Sequence, residues 1–357
     1  MPSLNTDPGP GATTGGMTAR LLDVEAPEWP AFLRETPHDF YHLPAYVALC
    51  AAHEQGEPRA LLVADRGRSL LLPLILRAIP GSLRRDASSP YGYPGPLMNG
   101  AANPEFIAEA LGAGMVTLVA EGLVSVFVRL HPLFNASPPE GVGEVMLHGD
   151  TVSVDLTLPG TTLWAQMRHN HRRDITKAVN SGLVARMDES FERFGAFRRV
   201  YRETMDRRSA SPYYRFGDEY FDGLRDALGE RLHLCVVEKD DKVAAAGLFV
   251  ETGELVQYHL GGTDESFIRV DPSKLMVHFA CGWAKARGNR CLHLGGGVGG
   301  TNDSLFHFKA GFSPLRHPFR TLRIVIDEAE YRHLAKAHDR SLDPEVSGAY
   351  FPPYRAQ

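Results

Sequence analysis

The residues best suited to chemistry lie in one run of twenty, His293-Leu-Gly-Gly-Gly-Val-Gly-Gly-Thr-Asn-Asp-Ser-Leu-Phe-His-Phe-Lys-Ala-Gly-Phe312. The run reads as a strand end, a glycine-rich turn and a short helix from about Ser304 to Gly311. Glycine lets the backbone take positive φ and approach a bound group closely, and the N–H groups that open a helix attract an anion or a carbonyl oxygen. Gly296 and Gly297 are therefore candidate ligand contacts. Lys309 shares the short helix with phenylalanines, where burying an ammonium is costly unless it is paired, so it is a candidate for holding an oxyanion or a phosphate. Asp303 and His293 are the groups nearby that could accept or relay a proton. Each also has a structural use, Asp303 as an N-cap ahead of Ser304 and His293 at the strand end.

Other chemistries find less support. Gly295-x-Gly297-x-x-Gly300 has dinucleotide-fingerprint spacing but opens a short helix rather than the long one of a βαβ unit, and no Gly-Lys-Ser/Thr follows it. No Gly-x-Ser-x-Gly elbow occurs. Cys50, Cys235, Cys281 and Cys291 stand among apolar neighbours without CxxC spacing, and His169-x-His171 is an isolated pair, so buried free thiols are expected and no metal site. Further candidates for substrate contact are Arg207 and Tyr214, which follow a helix and could take a phosphate or stack on a base. Tyr258 and His259 alternate along a strand, so only one can face a cleft. Tyr91 and Tyr93 sit in Ser88-Ser-Pro-Tyr-Gly-Tyr-Pro-Gly-Pro96, a loop that either lines a cleft or is simply rigid and packed.

The elements that must position these residues can be read from periodicity. With 357 residues, 43% apolar and 23% charged, the chain is long enough for two α/β domains. Residues 1–17 read as a disordered leader without an apolar core of the kind an export signal needs, and no window reads as a membrane span, so a cytoplasmic protein is expected. Net charge is −5, yet Leu163 to Arg215 carries twelve Lys or Arg against six Asp or Glu, a local +6 that could meet phosphates. A hairpin is expected over 59–77, a helix over 104–120 and a strand over 124–130. A second domain is expected from 151, with a strand over 151–157 and one helix from Leu163 to Ser181 closed by Gly182. On that helix His171 reads as a satisfied core residue, and Arg168 and Arg172 flank its buried face. Helices over 191–205 and 218–228, three antiparallel strands between 232 and 260, a helix over 272–287 and strands over 291–294 and 319–327 complete the pattern. This order is that of the GNAT acyltransferase fold. The expected architecture is two tandem GNAT-like domains, 18–150 and 151–357, each a mixed, mostly antiparallel sheet flanked by helices.

Three segments carry a more specific resemblance: Arg168-His-Asn-His-Arg-Arg-Asp-Ile-Thr-Lys-Ala-Val-Asn-Ser-Gly-Leu183, Tyr258-His-Leu-Gly-Gly-Thr263, and the glycine run ending in Phe308-Lys-Ala-Gly-Phe312. Together they resemble the Fem-type, or FemAB-like, branch of the GNAT superfamily, whose familiar members move an amino acid from aminoacyl-tRNA to an amine in peptidoglycan cross-bridges or peptide-like antibiotics. The resemblance implies that Lys309 contacts phosphate of the acceptor or the tRNA end, that Arg172 or Arg173 holds a second anionic group, and that Phe308 lines the cleft. It implies no cofactor: the donor would be aminoacyl-tRNA and the acceptor a small-molecule or peptide-like amine. Acyl-CoA as donor and a peptidoglycan precursor as acceptor are the alternatives. The chain departs from cell-wall members at Pro94-Gly-Pro-Leu-Met-Asn99, which lacks their Arg and their Asp, and it has no long coiled-coil arm between Glu189 and Lys239. It also departs from acetyl-CoA GNATs, because Gly261-Gly-Thr-Asp-Glu-Ser stands where those carry a basic, glycine-rich pyrophosphate loop.

Overall fold

The computed structural model describes residues 12–14, 16–100, 103–338 and 350–356. The chain forms two compact units, the first of Met1–Pro37, Tyr41–Met146 and Arg320–Gln357, the second of His38–Phe40 and Leu147–Phe319. In the first, β1 (Ala12–Thr14), β2 (Met17–Leu22), α1 (Glu28–Arg34) and α2 (Pro44–His53) precede the hairpin of β3 (Glu57–Asp65) and β4 (Arg68–Ala78). Next come β5 (Arg85–Ser88), β6 (Leu97–Gly100), α3 (Pro104–Ala120) and β7 (Leu123–Arg129). The hairpin pairs antiparallel from Asp65↔Arg68 outward, while β5 and β7, joined through α3, run parallel. Asn103 caps α3 by accepting from the Phe106 N–H at 3.0 Å, and Pro104 occupies the first helical position. Leu70, Leu72, Leu74 and Leu76 alternate along β4 into the core that Phe106, Ile107, Ala110 and Leu111 close from α3.

The second unit runs β8 (Glu144–Asp155), α4 (Gly160–Gln166), α5 (His169–Asn180), β9 (Val184–Met187), α6 (Phe194–Arg207) and α7 (Asp218–Leu228). It continues through β10 (Leu232–Lys239), β11 (Lys242–Thr252), β12 (Leu255–Thr263), α8 (Pro272–Ala286), β13 (Cys291–Gly295) and α9 (Ser304–Lys309). Its strands lie in the order β8-β13-β12-β11-β10-β9, antiparallel except for β12 and β13, which α8 connects. One face packs Ile175 and Ala178 of α5 and Leu275, Met276 and Ala280 of α8 on Val152, Val154, Val256, Leu292 and Leu294. On α6 the aromatic rings of Phe194, Phe197 and Tyr201 pack edge-to-face on Phe221 of α7, and α6 lies on β11 and β12. The chain continues through β14 (Arg316–Val325), whose residues 321–325 pair with β7, into α10 (Glu328–Ala337).

Both units thus hold one parallel strand pair spanned by a crossover helix in an otherwise antiparallel sheet, the tandem GNAT-like architecture read from the sequence. Three expectations change. The helix expected over 163–181 is two, because Met167 and Arg168 take extended ψ values of 142° and 145° between α4 and α5. The division at 150/151 is replaced by an interleaved one: Arg320 onward packs with the first unit, because its strand, its helix and the buried Tyr354 complete that unit's sheet and core. Much of the expected leader lies outside the described residues; of the rest, Ala12–Thr14 and Met17 are strand.

Candidate functional site

The site grows from a gap in the second sheet. The parallel ladder between β12 and β13 pairs Leu255↔Cys291, Val256↔Leu292 and Gln257↔His293 and then stops, although β12 runs on to Thr263 and β13 to Gly295. A bulge at His259 interrupts the pairing of β12 with β11 at the same level. The edge of β12 from Tyr258 to Thr263 is therefore left without β13 as a neighbour. The end of α6 covers its far end: Thr204 Oγ1 accepts from the Thr263 N–H at 2.9 Å, and Arg207 Nη2 donates to the Thr263 carbonyl at 3.3 Å. A Cβ on Gly262 would stand 2.3 Å from the Val200 carbonyl oxygen, so only glycine lets α6 come this close.

The glycine turn follows β13. Gly295, Gly299 and Gly300 take φ of 75°, 61° and 83°, which folds the chain back so that Asp303 reaches two N–H groups. Its Oδ1 accepts from Phe306 at 2.8 Å and its Oδ2 from Val298 at 3.1 Å. Lys309 is turned inward and donates from Nζ to the Gly296 carbonyl at 2.7 Å. Burial pushes its pKa down to about 8, against the pull of Asp303. Arg208, at the end of α6, donates to Ser304 Oγ at 3.2 Å and ties that helix to the start of α9. Lys309, Gly296 and Gly297 thus meet at the turn after β13, Arg208 stands at the start of α9, and Arg207 stays at the end of β12.

Several expected contacts are placed otherwise. His293 is fully buried: Gln257 donates its amide to Asp39, leaving Gln257 Oε1 for His293 Nδ1 at 2.8 Å, while Nε2 meets Thr151 Oγ1 at 2.8 Å. It belongs to a polar link across β12, β13 and β8 rather than to an open cleft. Asp303 is the cap of α9, with both carboxylate oxygens engaged, and α9 spans only six residues. Arg173 pairs with Asp174 at 2.9 Å, and Lys274 reaches the same carboxylate at 2.6 Å. Tyr258 stacks on Phe249, 5.1 Å between centroids, and packs against the core under α8, where burial pushes its phenol up. His259 sits edge-on to Phe40, and burial pushes its pKa down to about 3 against the pull of Asp39. The Phe308 ring packs on Phe312 at 5.3 Å, and its carbonyl accepts from His171 Nε2 at 2.8 Å, which satisfies that buried histidine. Tyr214 turns its carbonyl to the Tyr201 hydroxyl at 2.8 Å. Tyr91 and Tyr93 belong to the first unit, where the Tyr91 carbonyl accepts from Tyr46 and the Tyr93 ring meets Tyr41 and His131, the packed form of that loop.

Burial pushes the thiols of Cys50, Cys281 and Cys291 up to about 12, so a thiolate nucleophile is unavailable at these positions near neutral pH. Sequence reading passed over Asp39, Gln257 and Thr151, which share no spacing pattern. Among the described residues no helix is long and apolar enough to cross a membrane, and no group of three or more His, Cys, Asp or Glu is placed to hold a metal ion.

Residues 165–309, which include α5, the splayed strands and Lys309, match the acetyltransferase (GNAT) domain family. That stretch of the second unit thus has the likeness of a GNAT domain. Solved structures extend the likeness of fold to both units. FemX superposes with a TM-score of 0.64 at 13% identity over 88% of this chain and 99% of its own. A conserved protein of unknown function from Bacteroides thetaiotaomicron gives 0.54 at 11% identity over 85% and 99%. The C-terminal domain of a proposed lysylphosphatidylglycerol synthetase from Agrobacterium fabrum gives 0.52 at 12% identity over 90% and 96%. No curated protein matches the sequence significantly. The fold of both units is similar to that of FemX.

Proposed function

We propose that this protein is an aminoacyltransferase that moves an amino acid from aminoacyl-tRNA to an amine of a small-molecule or peptide-like acceptor, forming an amide in the cytoplasm, where charged tRNA is available. The observation that carries the choice of donor is the turn after β12. An acyl-CoA donor needs free N–H groups and positive charge there for its pyrophosphate. Instead Asp264 accepts from the Ser266 N–H and hydroxyl, Asp271 N–H is taken by the Ile268 carbonyl and Lys274 N–H by the Asp271 carbonyl. Asp264, Glu265 and Asp271 stand against Arg269 and Lys274 in this stretch, so the turn carries no basic excess. Such a turn disfavours a pyrophosphate and supports a donor that enters elsewhere.

Aminolysis of an aminoacyl ester needs no covalent enzyme intermediate. The acceptor nitrogen attacks the ester carbonyl carbon, the carbonyl oxygen becomes an oxyanion, and the bond to the ribose oxygen breaks as that oxygen takes the proton lost by the amine. Lys309 is the group suited to the oxyanion and to the leaving oxygen: it is held in place by Gly296, and its lowered pKa eases proton transfer. Arg208 supplies positive charge at the start of the same short helix, where it donates to Ser304 Oγ. The test is transfer of a labelled amino acid to a panel of amines, with charged tRNA intact, with charged tRNA destroyed by RNase, and with acyl-CoA. Product that appears only with intact charged tRNA is the expected result; product that survives RNase and requires CoA overturns the reading.

A further inference from the structure

The glycine turn begins where the main chain stops fixing the position of β13. Gln257↔His293 is the last rung between β12 and β13, and directly after it the pairing of β13 with β8 shifts, from His293↔Ser153 to Gly295↔Val152. Side chains replace the ladder at that level. Asp39, in the short segment that belongs to the second unit, has a carboxylate that can only accept: Oδ1 takes the Phe40 N–H at 2.7 Å and Oδ2 takes the Gln257 amide. The Gln257 oxygen is therefore turned to His293, and Nδ1 of His293 carries the proton between them. Nε2 meets the Thr151 hydroxyl on β8 at 2.8 Å. Asp39, His293 and Thr151 are 0% exposed and Gln257 1%. Removing one of the four strands its neighbours as buried polar groups, so the row acts as a unit.

Thr151 is also where this row meets the turn. A Cβ built on Gly296 would stand 2.9 Å from the Asp150 carbonyl oxygen and 3.6 Å from Thr151 Cγ2, so Gly296 rests on the residues that close the row on β8. That part of β8 is itself held by His317, whose carbonyl lies 3.3 Å from Thr151 Oγ1 and whose Nε2 lies 2.6 Å from Ser153 Oγ. The Gly296 carbonyl in turn accepts from Lys309 Nζ at 2.7 Å. From His293 to the ammonium the path is thus Thr151, Gly296 and one hydrogen bond, and close packing transmits a displacement along it.

We propose that Asp39, Gln257, His293 and Thr151 are positioning residues, a buried clamp that holds β13 against β12 and β8 where the gap opens and so sets the Gly296 carbonyl against Lys309. The inference rests on the transfer chemistry above, in which Lys309 serves the oxyanion. The clamp acts through geometry and not through contact with substrate. A reacting group displaced by about 1 Å costs about 100-fold in rate. A carbonyl on an ammonium also favours its charged form, so withdrawing Gly296 lowers the Lys309 pKa further.

The experiment compares the wild type with Thr151→Val, which keeps the branched shape and removes the hydroxyl, and with Thr151→Ser, which keeps the hydroxyl. Ser125→Ala, which removes the buried bond to Tyr354 in the first unit, controls for lost stability. Transfer of a labelled amino acid from charged tRNA is followed against pH. Thr151→Val is expected to unfold cooperatively and to keep KM within about two-fold while kcat falls about 10-fold or more. Its pH limb near 8 should move to lower pH, Thr151→Ser should restore both rate and limb, and Ser125→Ala should leave them as in the wild type. The same displacement is read without substrate from the pH dependence of unfolding, taken as the difference between each protein and its Lys309→Met counterpart. The rise in stability due to Lys309 should set in at lower pH in Thr151→Val. Wild-type kcat with an unmoved limb in folded Thr151→Val overturns the clamp, as does an equal loss in Thr151→Ser. A wild type that transfers nothing from charged tRNA sinks the functional reading, and the unfolding measurement then decides the clamp by itself.

Discussion

Lys309 is the residue on which the proposed chemistry rests, and its surroundings make two predictions. Its folded pKa of about 8 lies below the ordinary value of 10.5, so the folded protein binds fewer protons than the unfolded chain between those limits, and stability from this group rises with pH across that window. Below about pH 8 the buried charge weighs against the fold. Lys309→Met should accordingly unfold at the same or a higher temperature at pH 7, while the transfer rate falls about 100-fold or more, as when an oxyanion donor is lost. Calorimetry together with turnover checks this; near-normal turnover would move the chemistry elsewhere. If the protonated lysine serves the reaction, kcat should also decline as pH rises through about 8, and Lys309→Arg, if active, should lack that limb. That Lys309 finds a polar partner within the fold was legible, because a lysine among phenylalanines on a short helix needs one. The burial of His293 was not legible, because its partners Gln257 and Thr151 lie 36 and 142 positions away and only the sheet register brings them together.

Most elements were readable and their junctions were not. The hairpin of β3 and β4, α3, α7 and the three strands β10 to β12 follow period and turn chemistry closely, since each buries one face of a regular pattern. The break between α4 and α5 escaped because no Gly or Pro marks it; Met167 and Arg168 are turned there by the bond from Arg168 N–H to Gly311, a contact from 143 residues downstream. Gly262 is a similar case. Its sequence neighbours suggest a loose strand end, whereas its role is to admit the backbone of α6. Gly262→Ala should push α6 off β12, cost roughly 1–3 kcal/mol in urea denaturation, and raise KM for the donor by loosening Arg207 and Arg208. An unchanged midpoint and KM would show that α6 needs no such closeness.

The C-terminal residues complete the first unit. Tyr354 is buried, with its hydroxyl 2.8 Å from Ser125 Oγ, and Arg355 bonds Asp86 and donates to the Ala78 carbonyl at 2.7 Å. Asp86 is fully buried between Arg355 and Arg77, the latter at 3.0 Å. Removing one partner of a buried carboxylate costs about 1–3 kcal/mol, so Arg355→Met should lower the urea midpoint, and Asp86→Asn in that background should recover part of the loss. A midpoint unmoved by Arg355→Met would mean the segment is only laid on the surface. Local pattern was enough for the class of fold and for the run that carries Lys309, because periodicity, caps and glycine turns act over a few residues. Which histidine is buried and which unit owns residues 320–356 depend on partners distant in the chain, and strand register and long-range packing choose those partners.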